Sequence, residues 1–165
     1  MIACAAPPAR DVGGLVLAAR AQGWTTCVLA TPSAVRFMDV PGLAELTGYP
    51  VRSEYKNPDE PDLLPPPDAI IVAPATVNTV NKWAAGICDT LPLGILVESY
   101  GLRLPVVVVP WTSAAHAAHP VLAESLARLE SWGVRVLTRA AAGEADVSDF
   151  PWEQALAAVA ELGTG

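Results

Sequence analysis

Charge is scarce in this sequence. Lys, Arg, Asp and Glu make up only 16% of its 165 residues, where soluble proteins carry nearer a quarter. Cations are scarcer still, with ten Lys and Arg against seventeen Asp and Glu and a net charge of −7. General nucleic-acid binding needs clustered Lys and Arg, so this balance argues against it. Cysteine is also rare. Cys4, Cys27 and Cys88 stand far apart, with no Cys-x-x-Cys pair. That leaves neither a disulfide framework nor metal-ligand spacing; buried free thiols are expected at Cys4 and Cys27, which sit in apolar strand-like runs, and the cytoplasm is the expected compartment. No apolar run approaches the ~18 uninterrupted residues of a membrane-spanning helix. Met1 to Pro8 has no basic flank and no long apolar stretch, so a secretory signal is not expected. Yet 52% of the residues are hydrophobic. With no membrane segment to use them, the expectation is burial between copies of the chain.

Apolar runs and punctuation order the chain. Met1–Ala6, Thr25–Ala30, Ala69–Ala73, Val106–Val109 and Val134–Leu137 are short, apolar and largely non-alternating, as expected of strands buried on both faces. Val51–Ser53 is a brief further strand candidate. Val12, Leu15, Val16 and Ala19 recur with helical spacing, and Gly23 follows as a stop. Short helices are expected at Ser33–Phe37 and Pro41–Leu46, the second closed by Gly48. Longer ones are expected at Thr76–Ala85, stopped by Gly86, and at Leu91–Tyr100. Leu122, Leu126 and Leu129 mark a helix after Pro120, and Trp152, Leu156, Val159 and Leu162 a closing one. Lys56–Asp68 carries five prolines among several acids and reads as a loop. No repeat and no second domain are visible, so residues 1–165 are expected to form one domain. Strands separated by helices predict a parallel sheet covered on both faces, with ligands bound at the strands' carboxyl ends.

That geometry selects four loops: Ala5–Pro8, Thr31–Phe37, Pro74–Thr79 and Pro110–His119. The third carries the clearest chemistry. Pro74 and Ala75 are small and rigid, so a planar ring can approach the backbone. Thr76, Asn78 and Thr79 offer side-chain donors and acceptors, and the first amides of the following helix face the same crevice. The alternative is that Thr or Asn merely caps the helix.

The run APATVNTVNKWAAGICDTL, residues 73–91, resembles the PASANT segment of the homo-oligomeric flavin-containing cysteine decarboxylases. Pro74, Ala75, Asn78, Thr79, Lys82, Ala84, Gly86, Ile87, Asp89 and Leu91 fall in register with it. Thr31-Pro32-Ser33-Ala34-Val35-Arg36-Phe37 is similar to that family's phosphate-side loop, and Leu43–Gly48 to its L-x-x-L-T-G stretch. The resemblance implies a single Rossmann- or flavodoxin-like three-layer α/β domain with a mainly parallel sheet. It implies an FMN cofactor between subunits of a trimer, or of a dodecamer built from trimers. By the same resemblance, Pro74, Ala75, Thr76, Asn78 and Thr79 would lie along the isoalloxazine ring. Thr31, Ser33 and Phe37 would lie along the phosphate and ribityl side. No metal, membrane or nucleic-acid partner is implied.

Three positions depart from the family pattern. Ala6 stands where a Ser holds the FMN phosphate, followed by Pro7 and Pro8, which have no amide to donate. Glu60 stands where the catalytic His is found. Pro110–Ala117 replaces the substrate clamp P-x-M-N-x-x-M-W, with Ser113 at the Asn. The same stretch holds His116, and His119 follows close behind. An imidazole suits proton transfer near neutrality, while His119 can instead cap the helix at Pro120 and His116 can simply be exposed. The catalytic candidates are therefore Glu60, Ser113 and His116. The expected reaction is oxidative decarboxylation of a C-terminal peptidyl cysteine, or of a small thiol, to an enethiol. The alternatives are a flavin-binding oxidoreductase or carrier of other chemistry, and a cofactor-free partner subunit of the same fold.

Overall fold

A computed structural model describes residues 1–137 and 147–163. Its centre is a five-stranded, all-parallel sheet: β1 Ile2–Ala3, β2 Leu29–Ala30, β3 Ile70–Ala75, β4 Val106–Pro110 and β5 Arg135–Val136, in the order β2-β1-β3-β4-β5. Side chains alternate across β3 and β4, and each face meets its own helices. Ile70, Val72, Val106 and Val108 pack with α3 (Val77–Ala84), α4 (Leu91–Gly101) and α6 (Pro120–Ser131). Ile71, Ala73, Val107 and Val109 face α1 (Val12–Ala21) and α7 (Trp152–Leu162). The four valines of β4 are 0–3% exposed, and each side chain so buried stabilises the fold by about 1.5–3 kcal/mol. This is the expected three-layer, doubly wound Rossmann- or flavodoxin-like fold.

Glycine ends the helices as their spacing predicts. Gly23, Gly48 and Gly86 take φ of 89°, 77° and 72°, a left-handed conformation that costs other residues energy. Helix α2 (Val40–Thr47) opens on Asp39, whose carboxylate accepts the Gly42 N–H at 3.1 Å.

Two differences from the sequence expectation matter for the site. Val51–Ser53 is no strand. Only Arg52 reaches the sheet, as a single parallel bridge to Leu29 beyond the β2 edge, because Pro50 has no N–H to extend the ladder. And two expected loops contain a turn of helix each: a 3-10 turn at Pro7–Asp11 and the short α5 at Ala114–Ala117. Proline in the first positions favours the former, since the missing amide would be unpaired there anyway. The candidate strands at Met1–Ala6 and Thr25–Ala30 shorten to two residues of ladder each.

Candidate functional site

The strand order reverses direction between β1 and β3. From β1 the chain winds outward to β2, and from β3 to β4 and β5 the other way. In an open parallel sheet the loops at such a switch point diverge, and a crevice opens beyond the strands' carboxyl ends. The loops after β1 and β3 flank it. The 3-10 turn at Pro7–Asp11 packs on the turn at Ala34–Phe37 and on β3. The structure thus gathers Ala6, Thr31, Ser33, Phe37 and Pro74–Thr79 at one end of the sheet.

The β3 side of this crevice fits a planar polar ligand. Pro74 and Ala75 are buried, and the backbone around them is pinned. Cys4 N–H donates to Pro74 O at 2.9 Å, and Trp111 N–H to Ala75 O at 2.8 Å. Thr76 occupies the N-cap position of α3 with extended backbone, but its side chain caps nothing. The capping alternative is therefore not what the structure shows. The first amides of α3 are left without a side-chain partner, as an anionic or electron-rich ligand requires. Asn78 is exposed on the first turn. Thr79 is 2% exposed, and its hydroxyl lies 3.3 Å from that of Thr76. On the neighbouring strand end, Thr112 Oγ1 is buried with no hydrogen-bond partner, a hydroxyl that a ligand can satisfy.

The remaining motif residues are structural. Lys82 pairs with Asp89 across the α3–α4 connection, and Gly86 between them supplies the left-handed turn. Trp83, buried in the same helix, donates its indole N–H to Leu96 O at 3.0 Å and ties α3 to α4.

The β1 side is poorer in donors. Ala6 is buried and its amide is spent on Cys4 O at 2.8 Å; the Ala9 amide is spent on Ala6 O at 2.9 Å. Pro7 and Pro8 have none. Donors on this side come instead from Thr31, half-buried, and Ser33, exposed, whose side chain does not cap the turn after it. Arg10 and Arg36 lie in the two packed turns and bring positive charge there. Phe37 is 38% exposed beside them.

The catalytic candidates are split. Ser113 caps α5 just beyond β4, accepting the His116 N–H at 3.3 Å, and His116 is exposed on that turn. His119 Nδ1 accepts the Val121 N–H at 3.3 Å, so it does cap α6. Glu60, by contrast, lies in the proline loop that leads into the opposite, amino end of β3. Asn57 binds both its carboxylate oxygens, through its side chain at 2.7 Å and its backbone N–H at 3.1 Å. Those bonds hold the Glu60 carboxyl below the usual carboxylate range. Within one chain, β3 lies between Glu60 and the crevice.

A cavity of about 990 Å³ lies under that proline loop, lined by Trp24, Tyr49, Tyr55, Leu64, Ile95 and Leu102 among others. It sits at the amino ends of the strands, away from the uncapped helix start and the unpartnered Thr112 hydroxyl. The uncapped helix start and the unpartnered hydroxyl make the carboxyl end the candidate site. In the sequence, Cys4 reads only as a buried thiol. Its contact with Thr79 spans 75 positions, and no local pattern signals it. The same holds for the ring contacts joining Trp111, beside the crevice, to Phe150 and Phe150 to Trp152.

Known proteins share this fold. Mouse phosphopantothenoylcysteine decarboxylase is 36% identical over 66 residues, 40% of this chain and 32% of that protein. The match spans only about a quarter to a third of the length of three such curated relatives, and 58% of a probable phosphopantothenoylcysteine decarboxylase from Arabidopsis thaliana. Among solved structures, the FMN-dependent cysteine decarboxylase SpaF superposes with a TM-score of 0.79 at 19% identity, covering 99% of this chain and 95% of that one. The cypemycin decarboxylase CypD gives 0.78 at 22%, covering 99% and 91%. A family model described as Flavoprotein matches residues 18–164, nearly the whole length, and the chain belongs to that family.

Proposed function

We propose that this chain binds FMN in the switch-point crevice and oxidatively decarboxylates the C-terminal cysteine of a peptide, or a small cysteine-like thiol. The observation that carries the proposal is the uncapped start of α3, set behind the pinned Pro74–Ala75 backbone at the β1/β3 divide. Pro74 and Ala75 would lie against the ring. Thr76, Asn78 and the α3 amides would bind its polar edge. Thr31, Ser33, Arg10 and Arg36 would take the phosphate in place of the missing serine at Ala6.

When bound, FMN would supply the acceptor for the hydride of the cysteine Cβ as the thiol proton departs, so that loss of CO₂ from the resulting thioaldehyde would leave the enethiol. The chain has two tasks. Ser113 uses its oxygen to cap α5, so its own hydrogen remains to donate to the substrate carboxylate. His116, exposed three residues on, accepts the thiol proton. The apolar composition supports burial between copies of the chain, and the family resemblance implies that the copies form a trimer with the crevice at the subunit boundary.

A second reading has one observation in its favour. The amides of the first loop are spent internally or absent, which weakens a phosphate site and suits a partner subunit that keeps the fold without the cofactor. A visible spectrum of the purified chain separates the two. Flavin bands, release of FMN, and loss of CO₂ and two hydrogens (about 46 mass units) from a cysteine-ended peptide are expected. A colourless chain that takes up no added FMN sinks the enzyme and leaves the partner subunit.

A further inference from the structure

The last part of the β2–β3 connection, residues 48–69, contains no helix, because its prolines forbid one. Where a helix would cover the sheet, a loop spans it instead. Beneath that loop lies the cavity of about 990 Å³, at the top of the ~300–1,000 Å³ range of clefts that hold small molecules. The sheet residues Ile2, Leu29 and Ile70 line it, as do Leu91 and Ile95, one turn apart on α4. The loop is braced by its own bonds. Lys56 Nζ pairs with Asp62 at 2.8 Å, and Asn57 binds both carboxylate oxygens of Glu60. Tyr55 ties the start of the loop to the α3–α4 turn, donating its hydroxyl to Cys88 O at 3.3 Å. Gly94 on α4 makes room for that ring, since a Cβ there would collide with the phenol oxygen. The loop therefore roofs the space without filling it.

Two polar groups of this apolar lining are left unmet. Thr26 is 5% exposed, and its Oγ1 has no hydrogen-bond partner. A buried hydroxyl in that state is uncommon, and a bound molecule or an ordered water completes it. Arg52 is half-buried and fixed at the β2 edge, its N–H on Val28 O at 3.3 Å and its carbonyl on Ala30 N–H at 2.8 Å. Its guanidinium donates to Glu54 O at 3.0 Å and makes no salt bridge among the described residues. A partly buried cation without a counter-ion is costly. The acids nearby do not supply one. Glu60 feels the Arg52 charge but is held by Asn57. Asp62 is taken by Lys56, and Asp68 and Glu98 are exposed to water. Apolar walls with one unpaired guanidinium select a molecule that has an apolar body and a negative end.

We propose that this cavity is a second small-molecule site, distinct from the switch-point crevice, for a carboxylate with a long apolar body. Arg52 pairs with the carboxylate. Ile95, Leu91 and the loop's Leu64 take the body out of water. The proposal does not rest on the flavin reading.

Three probes with one body and different ends test it: dodecanoate, dodecanol and dodecylammonium, each below its critical micelle concentration. Calorimetric titration of the full chain is expected to show saturable binding of dodecanoate, weaker binding of dodecanol and the weakest of dodecylammonium. Arg52→Gln should weaken dodecanoate by roughly five- to tenfold and move dodecanol by less than about twofold. Ile95→Trp fills the space and should weaken both by more than about tenfold. Leu64→Asp puts a charge in the same wall from the loop, without disturbing a helix, and should also weaken both. Urea midpoints show that each variant is folded. Added FMN should not compete, because the crevice lies at the other end of the sheet. No saturable binding of dodecanoate overturns the proposal. So does tighter binding of dodecylammonium than of dodecanoate, or equal weakening of acid and alcohol by Arg52→Gln. Displacement of dodecanoate by FMN places it in the crevice and overturns the proposal too. A chain that takes up no FMN removes the flavin reading alone, and the Arg52, Leu64 and Ile95 variants still decide this one.

Discussion

At the scale of single residues, the structure separates side chains that hold the fold from side chains that bond to nothing within it. Asn78 belongs to the second group. It is exposed, on the first turn of α3, and makes no side-chain hydrogen bond among the described residues. Asn78→Ala is expected to leave stability within about 0.5 kcal/mol while weakening FMN by roughly tenfold. Thermal unfolding of the flavin-free chain and a fluorescence titration check the two halves separately. A fall in stability without a fall in affinity would return Asn78 to the fold. Residues 74–79 are legible in the sequence because a ligand-facing strand–helix junction is continuous in the chain. Small, rigid and polar types succeed one another there in a fixed order. The capping role of His119 is legible for the same reason, since its partner is the amide two residues on. The contact between Cys4 and Thr79 is not. Its members are brought together only when β1 is laid beside β3. Nor does the sequence reveal that the Ala6 and Ala9 amides are spent, because that depends on the 3-10 turn that Pro7 and Pro8 set up.

At the scale of elements, the position of α3 decides the site. Its amino end forms one wall of the crevice, and its body is anchored by Trp83, which is 3% exposed and bound to Leu96 O on α4. Trp83→Ala removes the ring and the tie together. It is expected to cost about 3–5 kcal/mol, read as a lower urea midpoint at unchanged slope. Loss of flavin should accompany it, because the helix that presents the amides is no longer fixed. A variant that keeps its urea midpoint would show that the α3–α4 contact carries little of the fold. The elements themselves are mostly legible. Buried strands betray themselves by unbroken apolar runs, and helices by spacing and a closing glycine. The failures have a common cause. Val51–Ser53 has strand-like residues, but Pro50 before it has no N–H to extend the ladder past one bridge. Pro7–Asp11 and Ala114–Ala117 are turns too short to show a period. Strand order leaves no local trace either, and it is the order that places the crevice.

At the scale of the whole molecule, the unresolved tension is apolar surface. None of the described helices is long and apolar enough to cross a membrane, yet several large apolar side chains remain outside. Leu102 is 58% exposed at the end of α4. Next to it, Tyr100 at 64% and Trp132 at 38% form a tilted ring pair with centroids 5.8 Å apart. Such a cluster at the ends of two helices is costly to leave in water and typical of surfaces that associate. If these rings lie between copies, light scattering should report about 52 kDa, three times the 17.2 kDa chain, or a multiple of it. Tyr100→Glu with Trp132→Glu should then shift the mass toward a single chain, because two desolvated carboxylates cannot be accommodated in an apolar contact. Flavin affinity should fall in parallel when the crevice is completed by a second copy. It should stay unchanged when one chain supplies the whole site. A trimer that survives both substitutions would move the contact elsewhere on the surface. A parent chain of one copy's mass would mean that the apolar excess is used by a different partner.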